Sequence, residues 1–220
     1  MNNPFPHCHI VTSTTHKSLR GPRSGVIFSR KEFEEKINFA VFPMHQGGPH
    51  NVQIAALAVQ FAEVQTPAFK EYSKQVIANA RAMCAALVAK GEQLITGGTD
   101  THIVMWDCRP HGITGSKIEK ILDCMHITVN KNSVVGDKSA INPGGIRLGT
   151  GALTTRGFME ADMEIIADYC VQAIVISKRI QEVSGKKLVD FAKAAAADEE
   201  VIAIAAKVHA WALTFGLPGQ

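Results

Sequence analysis

The stretch IVTSTTHKSLRGPRSGVIF, residues 10–28, sets the local fold near the start of this chain. Its two ends are apolar and β-branched, which predicts one strand over residues 9–13 and a second over residues 25–28. The turn that joins them is short, polar and basic, and it contains glycine and proline. Two strands joined in this way favour an antiparallel edge or a strand pair that lines a site.

Outward from this strand pair, the apolar pattern predicts helices and strands in alternation. Residues 29–32, SRKE, match a capping box, and residues 42–49, FPMHQGGP, predict a loop because glycine and proline oppose regular structure. Helical spacing of apolar residues begins at Asn51 and again at Pro67. The domain boundary is expected within the second of these helices. The later predicted elements are strands over residues 103–106, 127–129 and 146–148 and helices over residues 114–125, 160–179 and 198–215.

Composition bounds the class of protein. The 220 residues are 46% hydrophobic and 20% charged, which fits one large domain or two small ones and opposes disorder. The net charge is +3 and no long block of lysine and arginine occurs, so nucleic acid is not an expected partner. No apolar run approaches the ~20 residues that span a bilayer, and no secretory signal is visible, so no membrane partner is expected.

Cysteine usage favours a reducing compartment. Five cysteines are present, an odd number without a Cys-x-x-Cys pair, which opposes a disulfide framework. His7, Cys8 and His9 invite a metal interpretation, but in a strand the two histidines would share one face and the cysteine would take the other. We therefore expect no metal site, because a zinc site gathers its ligands around one point.

Lys17 stands out chemically, because residues 12–23, TSTTHKSLRGPR, surround it with hydroxyls, a histidine and two arginines. Neighbouring cations disfavour the charged ammonium and so make the free amine more available as a nucleophile. Hydroxyls and arginines also suit an anionic phosphate. The alternative is a solvated basic loop, which the residues alone favour over a Schiff-base lysine.

Two further segments suggest anion binding. Gly47 and Gly48 precede the helix that begins at Asn51, where exposed backbone N–H groups can bind an anion, although Gly-Gly pairs are also common in turns. Arg147 lies within an otherwise apolar strand, where an arginine is costly unless it meets an anion. Its planar guanidinium suits either the carboxylate of a ligand or a buried Asp or Glu of the same chain, and the residues favour neither.

Four motifs give a resemblance to a known family. They are THKSLRGPRSG at residues 15–25, FPMHQGGPHN at residues 42–51, TVNKNSV at residues 128–134 and PGGIRLGT at residues 143–150. In this order and at these separations, the chain resembles serine hydroxymethyltransferase over nearly its whole length, most loosely after about residue 186. The resemblance covers roughly the C-terminal half of a family member.

The resemblance implies an α/β fold, that of a fold-type-I enzyme dependent on pyridoxal 5'-phosphate (PLP). Residues 1–75 would be the C-terminal part of the PLP-binding large domain, and residues 76–220 would be the small C-terminal α/β domain. The implied reaction interconverts serine and glycine, with tetrahydrofolate as the one-carbon carrier. The implied partner is a second copy, in a homo-oligomer that is a dimer or a dimer of dimers, or a full-length subunit.

The resemblance also implies roles for residues of the lysine loop. Lys17 would bind PLP covalently, as a Schiff base. His16 would affect substrate and reaction specificity, and Thr14 would help the exchange of amines on the cofactor. Arg23 would act as a supporting cation beside the cofactor.

The remaining implied roles fall on glycines and on the later motifs. Gly47 and Gly48 would contact the phosphate of a neighbouring subunit's PLP through their backbone. Arg147 would bind the carboxylate of the amino acid. The implied contacts to the folate are Asn132, Ser139, Ala140 and Ile141.

Several working groups of the family lie upstream of the lysine strand and have no counterpart in these 220 residues. We therefore expect the chain to be inactive alone. The alternative function is that of a non-catalytic truncated paralogue that associates with a full-length subunit. RNA binding through Lys17, Arg20 and Arg23 is less favoured, because aromatic residues make up 6% of the chain and do not interleave with these cations. The expected compartment is cytoplasmic, with mitochondrial as the alternative.

Overall fold

A computed structural model describes residues 3–218 of the chain. The chain divides into two compact units, Met1–Glu71 and Tyr72–Gln220, and each is described by itself. The division falls inside one helix, Pro67–Ala89. The assignment of residues 1–75 to a PLP-binding domain and of residues 76–220 to a small domain stays a prediction.

The first unit begins with the predicted strand pair. Strands β1 (Ile10–Thr14) and β2 (Gly25–Ser29) run antiparallel, with Ile10 opposite Ser29 and Thr14 opposite Gly25. The antiparallel pairing is therefore confirmed. The helical elements that follow are a 3₁₀ turn at Lys31–Phe33, helix α1 (Glu34–Phe39), a π-helical turn at Ala40–His45, helix α2 (Asn51–Val64) and the start of helix α3 (Pro67–Ala89).

Two local predictions in this unit are wrong. Ser29 caps no helix, because it is paired in β2, and the 3₁₀ turn that begins at Lys31 has no side-chain cap. The predicted loop over residues 42–49 begins late, since Ala40–His45 continue from α1 as a π-helical turn. Proline is tolerated there because Phe42 is extended, with φ −134° and ψ 128°, and breaks the helical run just before it.

The described part of the second unit, residues 72–218, contains the rest of α3, a four-stranded antiparallel sheet and five further α-helices. Its strands lie in the order β3-β4-β6-β5. They are β3 (Gln93–Leu94), β4 (Ile103–Asp107), β5 (Asn130–Asn132) and β6 (Gly145–Gly149). The helices are α4 (Gly115–Cys124), α5 (Gly151–Thr155), α6 (Glu160–Ser184), α7 (Leu188–Ala197) and α8 (Glu199–Ala212).

One continuous hydrophobic core holds this unit together. Helix α4 contacts α6, α7, α8 and the strands β5 and β6, so it lies at the centre of the packing. Its inward residues Ile118, Ile121 and Leu122 are fully buried, as the helical spacing predicts. The predicted apolar faces of α3 and α6 are also confirmed, with these buried residues: Val76, Ala80, Met83, Leu87, Met163, Ile166, Cys170 and Ile174.

The strand predicted over residues 127–129 is wrong, because Ile127 closes α4 and residues 128 and 129 form no regular element. The Ile127 N–H donates to the carbonyl of Leu122 at 2.8 Å, and the His126 N–H donates to Asp123 at 3.0 Å. His126 takes a left-handed conformation, with φ 62°, which is typical of the residue that ends a helix in this way. The N–H groups of His126 and Ile127 are thus already bonded within the end of the helix, and pairing with β6 begins only at Asn130.

No described helix is both long and apolar enough to cross a membrane. All five cysteines are free thiols. Burial raises the pKa of Cys170 to about 12, so this thiol stays protonated and serves in packing rather than as a nucleophile.

The N-cap of α8 provides a test of the second unit. The Asp198 carboxylate accepts from the Glu200 and Val201 N–H groups and from Arg179, whose hydrogen bond holds the pKa of Asp198 below its usual value. We expect Asp198→Ala to lower the free energy of unfolding by about 1–2 kcal/mol, since a helix cap is lost. Because the pKa is lowered on folding, this stabilisation is complete at neutral pH and is lost as pH falls through the lowered value.

The measurement is urea denaturation followed by tryptophan fluorescence, because both tryptophans, Trp106 and Trp211, lie in this unit. Asp198→Asn keeps an acceptor for the cap, so its free energy of unfolding should fall less than that of Asp198→Ala. The control is Glu199→Ala at the neighbouring exposed position. Equal midpoints for Asp198→Ala and Glu199→Ala would contradict the assigned cap.

Candidate functional site

The turn between β1 and β2 is closed by a single buried hydroxyl. Thr15 is fully buried, and its Oγ1 lies 2.6 Å from the Pro22 carbonyl and 3.0 Å from the Ser24 carbonyl. Its backbone N–H donates to Ser24 at 3.0 Å, and its carbonyl accepts from the Gly21 N–H at 2.8 Å. One residue thus joins the two ends of the turn, which fixes the path of the residues in between.

Gly21 is required for this closed turn. A Cβ at Gly21 would lie 2.9 Å from the Thr15 carbonyl oxygen and 3.1 Å from the Gln60 side chain, so a larger residue would push the turn open. The preceding Arg20 adopts a left-handed conformation, with φ 56°, and its N–H donates to the Lys17 carbonyl at 2.9 Å. The basic loop is therefore a tight, specified structure rather than a freely solvated segment.

Lys17 is presented outward by this turn. Its side chain is exposed, and among residues 3–218 its ammonium makes no hydrogen bond or ion pair. Thr14, at the end of β1, and Arg23 are exposed as well. The structure places these three candidate residues, together with His16, on the same short turn.

His16 and Gln60 carry buried polar atoms without partners. The Nδ1 of His16 and the Nε2 of Gln60 are buried and have no hydrogen-bond partner among the described residues. An unsatisfied buried polar atom is costly, by about 1–3 kcal/mol, unless another group comes to it. The lysine turn at His16 and helix α2 at Gln60 therefore carry polar atoms whose hydrogen-bonding capacity is unused among the described residues.

Gly47 and Gly48 lie in the irregular segment between the π-helical turn and α2. Among residues 3–218, no atom lies within 4 Å of a Cβ built on either glycine, so no steric constraint from these residues requires glycine there. The N-cap of α2 is His50, which makes no side-chain capping bond. The backbone here is open to a ligand, and the absence of a steric reason for glycine is consistent with close approach of another molecule.

In the second unit, strand alternation decides the surroundings of Arg147. Ile146 and Leu148 point into the core, and Arg147 points to the opposite, exposed face. There it lies between Met105 on β4 and Asn130 on β5, and its Nη2 donates to Asn130 Oδ1 at 3.4 Å. The side-by-side arrangement leaves the guanidinium at the surface of the sheet.

The interpretation of Arg147 as one half of a buried ion pair is wrong. Within the part of the chain that the structure describes, no carboxylate lies within 4.0 Å of its guanidinium. The expectation of a burial cost also fails, since the period of two along β6 sends this side chain to solvent. What remains is an exposed guanidinium, with only one long hydrogen bond, that can take a ligand carboxylate in two-point contact.

The proposed folate contacts lie close together along the chain. Asn132 ends β5, where its Nδ2 donates to the Ser133 carbonyl at 2.8 Å. Ser139, Ala140 and Ile141 are exposed in the loop between β5 and β6, and the Ile141 N–H donates to Ser139 Oγ at 3.2 Å. All four therefore belong to the connection that leads into the strand of Arg147.

Sequence reasoning missed the residues that hold this loop. Arg109 lies between two carboxylates, Asp107 and Asp137, at the base of the loop. The hydrogen bond from Arg109 lowers the pKa of Asp107, and the Gly144 and Val134 N–H groups lower the pKa of Asp137. Both are therefore ionised at neutral pH. No local motif marks them, although the oppositely charged Asp107 and Arg109 two residues apart are visible in the sequence.

His7, Cys8 and His9 directly precede strand β1. Among residues 3–218, no group of three or more His, Cys, Asp or Glu side chains is arranged to hold a metal ion. His9 instead makes an edge contact with Phe33, with ring centroids 6.0 Å apart. The chemistry of the described residues thus centres on the lysine turn in the first unit and on Arg147 with its adjoining loop in the second.

Comparison with known proteins agrees with this arrangement of motifs. A family model described as serine hydroxymethyltransferase matches residues 1–170. Serine hydroxymethyltransferase 4 of Arabidopsis thaliana is 48% identical over 232 residues, which cover 99% of this chain and 49% of the relative. The serine hydroxymethyltransferase of Plasmodium falciparum is 47% identical over 216 residues, 96% of this chain and 49% of the relative.

A third relative, the serine hydroxymethyltransferase of Bombyx mori, is 46% identical over 235 residues, which cover 99% of this chain. Matched relatives also include proteins named as mitochondrial, in Schizosaccharomyces pombe, and chloroplastic, in Arabidopsis thaliana. The chain spans about half the length of the curated relatives it matches. A mixed α/β chain that carries all four motifs, with this similarity over nearly its whole length, belongs to the serine hydroxymethyltransferase family.

Proposed function

We propose that this chain forms part of a PLP-dependent site that interconverts serine and glycine with tetrahydrofolate. The observation that carries the proposal is the lysine turn. It is closed at its base by buried Thr15, and it presents the Lys17 amine outward without a partner among the described residues. An amine without a partner among the described residues is available to bind a carbonyl cofactor covalently.

The residues of the turn fit PLP by their chemistry. Lys17 supplies the amine that holds the cofactor, and PLP when bound withdraws electrons from the α-carbon of the amino acid. Thr14 and His16 offer a hydroxyl and an imidazole nitrogen, and the nitrogen is buried and unsatisfied. Arg23 contributes a positive charge on the same turn, which suits an anionic ligand.

Gly47 and Gly48 are proposed to contact the phosphate of a cofactor through their backbone N–H groups. The support is that they precede α2, whose N-terminus favours an anion, and that neither glycine is needed to avoid a clash with the described residues. In the proposed assembly the phosphate belongs to a neighbouring subunit, so the working form is a homo-oligomer, either a dimer or a dimer of dimers.

Arg147 is proposed to bind the carboxylate of serine or glycine. Its exposed guanidinium can donate two parallel hydrogen bonds, which fixes the orientation of the amino acid as well as binding it. By holding the carboxylate, Arg147 would orient the amino acid, and PLP would supply the electron withdrawal that its reaction needs. Asn132 and residues 139–141 are proposed to contact the folate beside it.

The first test measures covalent binding of PLP by Lys17. The purified chain is mixed with PLP, and its near-ultraviolet and visible absorption is recorded before and after borohydride reduction. We expect a band that reduction removes and a stable adduct on the peptide of Lys17 by mass spectrometry. Lys17→Ala should abolish both, because no other amine is held by this turn.

The matched control is Lys31→Ala, an exposed lysine in the same unit. A band that persists in Lys17→Ala, or no adduct on the wild-type chain, would contradict the assigned role. Serine–glycine exchange is measured on the same samples. We expect none from this chain alone, because an adduct does not supply the other catalytic groups of the proposed site.

The second test concerns Arg147. We expect Arg147→Gln to weaken glycine binding to the PLP-loaded chain roughly 10- to 100-fold, the value of a hydrogen bond to a charged group. Arg147→Lys should retain only part of the glycine affinity of the wild type, since an ammonium cannot make the two-point contact. The measurement is the change in cofactor absorption as glycine is added, with Lys131→Gln on the adjacent strand as the charge control. Equal glycine affinities in all four proteins, or no response in the wild type, would exclude this role.

A second candidate function is favoured by the surface of the first unit. Among residues 3–71, only Thr15, Gln60 and Phe69 are buried, so the described part of this unit has almost no apolar core. Many large apolar side chains are exposed instead: Phe5, Ile10, Ile27, Phe28, Phe39, Phe42, Met44, Val52, Ile54 and Val59. Such a surface is typical of an interface. The candidate is a non-catalytic chain that associates with a full-length subunit and modulates it.

This candidate predicts association in solution. Light scattering should find the chain in oligomers, and a tagged chain should co-purify with a full-length relative such as the Arabidopsis protein. Phe28→Ser on β2 should weaken both associations, because it removes an exposed aromatic ring. Val183→Ser, at an exposed site in the second unit, should not. A clean monomer at high concentration that leaves the relative unbound would rule out this function.

The free thiols support a reducing compartment, and we propose a cytoplasmic location. The relatives named as mitochondrial and chloroplastic make an organelle the alternative.

A further inference from the structure

The loop between β5 and β6 combines a buried base with an exposed tip. Val134 and Gly144, where the loop leaves and rejoins the sheet, are buried. Between them, Ser139 and Ala140 are exposed, and two apolar side chains stand out in solvent, Val135 at 86% exposure and Ile141 at 78%. Large apolar side chains exposed on a loop whose base is fixed mark a candidate binding surface.

The Asp137 carboxylate joins the two sides of the base. Its Oδ2 accepts from the Val134 N–H at 3.0 Å and from the Gly144 N–H at 2.8 Å. Only 9% of its side chain is exposed, so these charge-assisted bonds are largely protected from water. One carboxylate thus determines how far apart the two sides of the loop lie.

Arg109 connects this carboxylate to the sheet. Its Nη1 lies 3.6 Å from Asp137 Oδ1 and donates to the Val135 carbonyl at 2.9 Å. Its Nε and Nη2 donate to Asp107, at 2.9 Å and 2.7 Å. Asp107 is the last residue of β4, where it is paired with Gly145 of β6. The loop is therefore tied to the same two strands that position Arg147.

The glycines of the PGG motif make room for this group. A Cβ at Gly144 would overlap the aliphatic part of Arg109 and approach Asp137, and a Cβ at Gly145 would overlap Val134. The packing at the base thus depends on these two glycines having no side chain. Part of the PGGIRLGT motif is therefore explained by packing at the base of the loop, independently of the substrate contact proposed for Arg147.

We infer that Asp137, held by Arg109 and Asp107, is a positioning residue for the reduced folate. It sets the geometry of residues 139–141, and Val135 and Ile141 supply apolar contact to the rings of the folate. This inference rests on the proposed function, because it takes these residues to be the folate contacts. Asp137 itself acts through the loop and does not touch the ligand.

The test compares Asp137→Asn and Asp137→Ala with the wild-type chain, using 5-formyltetrahydrofolate as the probe. Its dissociation constant is measured by calorimetry in the presence of PLP and glycine. We expect Asp137→Ala to weaken binding roughly tenfold or more, as for loss of hydrogen bonds to a charged group. Asp137→Asn keeps one acceptor and should show a smaller loss. Lys138→Gln, the next residue on the exposed loop, is the matched control and should bind as the wild type does.

Two further readouts separate positioning from general destabilisation. Hydrogen exchange at the Val134 and Gly144 amides should quicken in the Asp137 variants, while the urea midpoint from tryptophan fluorescence stays close to that of the wild type. Glycine affinity should also be unchanged, because Arg147 lies on the strand and not on the loop. If Asp137→Ala does not fold, Asp137→Asn and Arg109→Lys carry the same comparison.

Unchanged folate affinity in folded Asp137 variants overturns the inference, as does wild-type chain that binds no folate. Either result leaves the cofactor role of Lys17 standing if the reducible adduct forms. Conversely, loss of folate binding in Asp137→Ala, in a chain that forms no adduct at Lys17, supports the positioning role and removes the cofactor role. An equal loss of folate and glycine binding assigns Asp137 to general stability and also overturns the inference.

Discussion

The antiparallel pairing of β4 with β6 is the constraint on which the second unit depends. It places Val104, Trp106, Ile146 and Leu148 on one face, where they enter the core with helix α4. The same register puts Arg147 on the opposite face, beside Met105. Because side chains alternate along a strand, a slip of one residue would bury the guanidinium and expose the apolar residues. One strand register therefore sets both the position of the Arg147 guanidinium and the packing of the core.

Buried polar groups reinforce this register at the edges of the sheet. The Trp106 indole N–H donates to Glu92 at 2.9 Å, and Glu92 also contacts His111 Nε2 at 2.7 Å. At the same end of β4, Asp107, the residue after Trp106, binds Arg109, and the two secure the loop that follows β5. A paired polar group in a core costs little, whereas the same group without its partner is expensive, so such contacts oppose alternative arrangements.

The first unit follows a different principle. Its turn is specified by hydrogen bonds at one threonine, yet the described part of the unit buries very few apolar side chains. A two-stranded hairpin is at best marginally stable in water by itself. Local order around Lys17 and exposed apolar surface elsewhere thus occur together. This combination is the observation behind the proposed association with another subunit.

The sequence alone determined the long helices, the strand pair around the lysine turn and the family. The spacing of apolar residues and the residue types of turns are local properties of the chain. Four motifs in a fixed order are a strong signature of the family. It did not determine that Ile127 closes a helix, that Ser29 stays in a strand, or that Arg147 is exposed. Those outcomes depend on which backbone groups find partners and which face of a strand meets the core. The same reason hid Thr15 and Asp137, whose importance comes from carbonyl and N–H groups that only the folded chain brings to them.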